Sequence, residues 1–66
     1  MPAPNVATIT AKWLPQAEHA MRIPAGPAAW DAFWDAFYAE AEHREYIAGR
    51  YDKAADRIMC TLEAEA

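Results

Sequence analysis

"VATITAKWLPQAEHAMRI", residues 6 to 23, carries mixed signals on which the fold class turns. Its first half, "VATITAKWL" at 6 to 14, mixes β-branched residues with a partial alternation that puts Ile9, Ala11 and Trp13 on one face. That pattern reads as a strand. "PQA" at 15 to 17 can turn the chain, and "EHAMRI" at 18 to 23 offers a second strand with His19, Met21 and Ile23 on one side. A β-hairpin over 6–23 is the expectation. Its rival is a short helix opening at Pro15, because proline suits a first helical position.

On either side the chain is punctuated by proline. "MPAPN" at 1–5 reads as a frayed start, and "PAGP" at 24 to 27 is the clearest break. Beyond it Trp30, Phe33, Trp34, Phe37 and Ala41 recur at three- and four-residue steps, which predicts a long helix over 27–48 with Gly49 as its stop. The tail "YDKAADRIMCTLEAEA" has two readings. Asp52 could cap a second helix with a stripe of Tyr51, Ala55, Ile58 and Leu62. Alternatively, residues 57 to 63 could form a third strand with Ile58, Cys60 and Leu62 inward. The expected fold is α+β: an N-terminal hairpin packed on a long amphipathic helix, with residues 52–63 as a second helix or a strand.

Sixty-six residues make one small domain with a thin core. Seventeen of the hydrophobic residues are alanine, so the eight aromatics must carry most of the burial. A homodimer or a larger partner would ease that shortage. The single cysteine, Cys60, excludes an intramolecular disulfide and fits a reducing cytoplasm. On an apolar stripe it reads as a small hydrophobe. Residues 1 to 11 lack the basic leader and apolar core of a signal peptide. No apolar stretch approaches the length of a membrane span. The expected location is cytoplasmic.

Net charge is −4. Acidity argues against direct binding to nucleic acid, which rests on Lys and Arg neutralising phosphates, and against anionic membranes. It favours basic partner surfaces. At 100° per residue, Asp31, Asp35, Glu42 and Glu45 fall within an arc of about 80° on the 27–48 helix, opposite the aromatic stripe. Tyr38 and Tyr46 flank the arc, and tyrosine rings beside carboxylates suit an arginine-lined surface. An amphipathic helix needs a solvated face in any case. Yet Asp31/Asp35 and Glu42/Glu45 are like-charge neighbours, mildly destabilising to each other. Solvated face and partner-facing strip both stand as readings.

Candidate chemistry is sparse. Glu40 and His43 have the spacing of the Glu-x-x-His element of di-metal bundles, but only one copy is present and His43 points off the aromatic stripe. His19 reads as a partly buried packing residue. With glycine only at 26 and 49 there is no phosphate-cradling loop. A chain this short offers no cleft to separate two carboxylates for acid–base work. No catalytic residue, metal site or cofactor is expected.

In size, acidity and lack of motifs the chain resembles the small phage-encoded anti-CRISPR and DNA-mimic proteins, with "WDAFWDAFYAEAEHRE" supplying the acids. The resemblance covers general character across the whole chain. It implies a non-catalytic inhibitor in the host cytoplasm that docks on the basic surface of a nucleic-acid-handling complex, such as a CRISPR effector, and blocks target DNA. Asp31, Asp35, Glu42 and Glu45 would stand in for phosphates, with Tyr38 and Tyr46 beside them. The alternative is a structural or interaction module, a homodimer or small subunit that lends its aromatic helix to a groove.

Overall fold

The computed structural model describes residues 3–22 and 27–65. Its architecture is a bundle of three helices, and among the described residues there is no strand. Helix α1 spans Val6–Arg22, α2 Pro27–His43 and α3 Ala48–Glu65, with a 3-10 turn at Glu45–Ile47 joining the last two. The α+β expectation is therefore corrected to all-α. Ile23 and most of the "PAGP" break lie outside the described residues, as do the first two residues of the expected frayed start.

The hairpin over 6–23 is replaced by α1 for two physical reasons. Asn5 caps it, its Oδ1 accepting hydrogen bonds from the Thr8 backbone N–H at 2.8 Å and the Thr8 hydroxyl at 3.0 Å. This satisfies a donor that the first turn leaves free. The buried residues Ile9, Trp13, Ala17 and Ala20 then recur at steps of four and three, forming one stripe toward the core. His19, expected to be partly buried, is exposed. Pro15 sits inside the helix, where it removes one backbone bond. Both Pro15 and Ala11, whose carbonyl loses that donor, are exposed to water.

The long helix also ends early. Instead of reaching residue 48, α2 stops at His43, and Arg44 leaves helical geometry at φ −124°, ψ 47°. No proline or left-handed glycine forces the break. Burial does: the turn folds Ile47, Tyr51, Ala54, Ala55, Ile58 and Leu62 back against α1 and α2. Gly49, expected as the stop, lies in the first turn of α3, and Asp52, expected as its cap, lies one turn further in. Cys60 is exposed rather than turned inward.

The three helices run up, down and up. Phe37 meets Tyr51 edge-on at 5.5 Å, so α2 and α3 are antiparallel about their turn. An Arg50 guanidinium N–H donates to the Pro4 carbonyl at 3.1 Å, bringing the start of α1 beside the start of α3. At the centre Trp13 stands edge-on to Phe33 at 6.0 Å and to Phe37 at 5.5 Å. Such pairs are worth about 0.5–1.5 kcal/mol beyond their burial. Trp30 and Trp34 pack on this core but remain half-buried.

Candidate functional site

Amphipathic geometry sorts α2 into three faces. Phe33, Phe37 and Ala41 are buried; Trp30, Trp34 and Tyr38 follow along one edge; Asp31, Asp35 and Glu42 are exposed beyond that edge. Glu45 lies in the 3-10 turn, not on α2, yet still lines one hollow with Tyr38, Ala41, Glu42, Ala48 and Asp52. Five of the six residues expected at a docking surface, Asp31, Asp35, Tyr38, Glu42 and Glu45, therefore share one side of the molecule.

Tyr46 does not join them. Because the helix breaks before it, its side chain turns to another side of the bundle, beside the starts of α1 and α3. There it lines a hollow with Asn5, Val6, Gly49, Arg50 and Lys53. It is 74% exposed.

In its place α3 contributes two carboxylates. Tyr38 has its phenol pKa raised, first by burial of part of the ring and then by the negative charges of Asp52 and Asp56. Both acids are exposed, and both fall on the flank of α3 that faces Tyr38. The signal for them lay in the tail itself: at 100° per residue Asp52, Asp56 and Glu63 share an arc of about 40° once that segment is helical. The acidic side is thus a face built by two helices and their turn.

Among the described residues the single ion pair is Lys12 with Glu40. Asp31, Asp35, Glu42, Glu45, Asp52 and Asp56 are exposed, and among the described residues none of them has a basic group within ion-pair distance. They run along the side of the molecule and do not gather: among the described residues no group of three or more metal-ligating side chains converges.

Glu40 behaves differently from the other acids of α2. Its carboxylate accepts hydrogen bonds from Lys12 Nζ, from Trp13 Nε1 at 3.1 Å and from the Tyr51 hydroxyl at 2.8 Å. Burial alone would raise its pKa, but the bonds from Lys12, Tyr51 and Trp13 and the Lys12 charge outweigh it and hold the group below the usual carboxylate range. Glu40 is thus engaged in holding the helices together, while His43, three residues on, is exposed.

Comparison with protein-family models, with curated proteins and with solved structures gave no match. Among the described residues no helix is long and apolar enough to cross a membrane.

Proposed function

We propose that this chain is a non-catalytic inhibitor that lays its acidic face on the basic nucleic-acid-binding surface of a larger complex. A CRISPR effector complex is the sharpest form of that reading, with exclusion of target DNA as the effect. The supporting observation is the row of six exposed carboxylates on α2, the turn and α3, none of them paired within the molecule among the described residues. An unpaired row of one sign is mildly costly to its own fold, and a surface of the other sign offsets that cost. Tyr38 adds a ring beside the carboxylates on which a guanidinium can stack.

The test is pairwise reversal, Asp35→Lys with Glu42→Lys. Both positions are exposed, so the helical circular dichroism and the unfolding midpoint should stay close to the parent's. Binding to purified effector complexes, measured across a salt series, should fall about tenfold or more at low salt and lose its salt dependence. Equal affinity for parent and double variant, with a flat salt response for both, removes the electrostatic mechanism.

A further inference from the structure

The acidic face is not uniformly polar. Along the edge of α2 nearest α3 runs a continuous aromatic row: Trp30 meets Trp34 edge-on at 5.6 Å, and Trp34 stacks on Tyr38 at 5.9 Å. Trp30 and Trp34 are half-buried and Tyr38 is 42% exposed. The facing flank of α3 carries Met59, 37% exposed. Measured from Ala48, which lines the hollow beside Tyr38, Met59 lies at about 20° and Asp52, Asp56 and Glu63 at about 40° to 80°. The antiparallel register set by Phe37 and Tyr51 carries this flank past Tyr38 toward Trp34 and Trp30. Helical geometry thus flanks the aromatic row with carboxylates on both sides, Asp31, Asp35 and Glu42 on α2 and Asp52, Asp56 and Glu63 on α3, and at its Tyr38 end the row opens on a cleft lined by Tyr38, Ala41, Glu42, Glu45, Ala48 and Asp52.

We propose that this cleft receives a basic amphipathic helix of the partner, its apolar side chains against Trp34, Tyr38 and Met59 and its Lys and Arg side chains on the two acidic rims. The proposal rests on the docking reading above and names the element that is recognised. Three aromatics spaced one turn apart span about 12 Å, the spacing at which a docked helix presents its i, i+4 and i+7 anchors. A strand would need a free sheet edge, and the described residues contain no sheet. A second copy of this chain fits poorly, because its own face would bring acidic rims against acidic rims. Of the chain's six cations, Arg50, Lys53 and Arg57 lie on another flank of α3, at about 140° to 200° on the same scale.

The probe is a fluorescein-labelled peptide of leucine and lysine, about 18 residues long, with leucine at helical i, i+3, i+4 and i+7 positions. Its comparator has the same composition, ordered so that no helical face is apolar. Fluorescence anisotropy with the full chain should show at least tenfold tighter binding of the amphipathic peptide, with a change in tryptophan emission. Met59→Glu should weaken it about tenfold, whereas Met21→Glu, at an exposed position on α1, should leave it unchanged. Equal binding of the two peptides, lost in the Asp35→Lys, Glu42→Lys double variant, overturns the cleft while leaving an acidic docking face. Binding of neither peptide also overturns it, and the effector-complex titration then judges the wider reading separately. Self-association of the free chain that Met59→Glu abolishes would make a second copy the occupant, and it too overturns the proposal.

Discussion

The Tyr51 hydroxyl donates a 2.8 Å hydrogen bond to Glu40 Oε2, and the Trp13 indole N–H reaches the same oxygen at 3.1 Å. One carboxylate thereby links α1, α2 and α3. Tyr51 is fully buried and Trp13 nearly so, so their polar atoms depend on this acceptor. Replacing Glu40 by leucine strands both donors and should cost about 2–4 kcal/mol, since each buried unsatisfied group costs roughly 1–3 kcal/mol. Glu40→Gln keeps an acceptor oxygen and should cost about half as much. The exposed ion pair with Lys12 adds little to either figure. Urea denaturation followed by circular dichroism measures both. A Glu40→Leu midpoint equal to the parent's would show that the three bonds do not hold the bundle.

The same pair makes stability depend on pH at both ends of the scale. Burial first, then the bond to Glu40 and its charge, push the Tyr51 phenol up to about 12. A phenol with a raised folded pKa stabilises fully below its unfolded value near 10, and that contribution is lost as pH rises from there through about 12. The fall should amount to about 2–3 kcal/mol. Glu40 has the opposite sign. Its lowered folded pKa stabilises above the ordinary value of 4.5 and is lost as pH falls below it. Thermal melts from pH 9 to 12 should show the parent losing stability while Tyr51→Phe, weaker at neutral pH, loses much less. Parallel curves for the two proteins would refute the assignment.

How much of this was legible before the structure differs from helix to helix. The core stripe of α2 shows directly in the spacing of Phe33, Phe37 and Ala41, because a bulky aromatic repeat fits one period only. In α1 two signals compete: Val6, Thr8, Ile9 and Thr10 favour a strand locally, while Ile9, Trp13, Ala17 and Ala20 carry a helical stripe. Tertiary burial of that stripe outweighs local propensity. The break at Arg44 carries no breaker residue, so the boundary between α2 and α3 was hidden, and with it the departure of Tyr46 and the arrival of Asp52 and Asp56. Glu40 did leave a trace. On the helix it sits about 20° from Phe33, beside the core and away from the other acids.

Gly49 offers a clean measure of the early helix start. It lies in the first turn of α3, and a methyl group built on it meets nothing within 4 Å. Glycine at a helical position costs roughly 0.5–1 kcal/mol relative to alanine, through the freedom it regains on unfolding. Gly49→Ala should therefore stabilise the protein by about that amount and raise the melting temperature by roughly 2–8 °C. Were Gly49 a left-handed helix stop, the same change would destabilise. The direction of the shift in a calorimetric scan is the readout.

Pro15 puts the reading of residues 6 to 23 to the same kind of trial. In α1 it deprives the Ala11 carbonyl of a helical donor and crowds the preceding turn, a penalty of about 3 kcal/mol when no relaxation occurs. Pro15→Ala restores the N–H and should stabilise the bundle. The gain is reduced by about 0.5–1 kcal/mol, because the unfolded chain becomes more flexible. A net rise of up to about 2–2.5 kcal/mol is expected, seen as a higher urea midpoint with unchanged slope. In a hairpin turn at 15 to 17 the proline would instead preset the bend, and its loss would lower the midpoint. A destabilised Pro15→Ala protein would accordingly contradict a continuous α1 and with it the stripe of Ile9, Trp13, Ala17 and Ala20 on which the bundle closes.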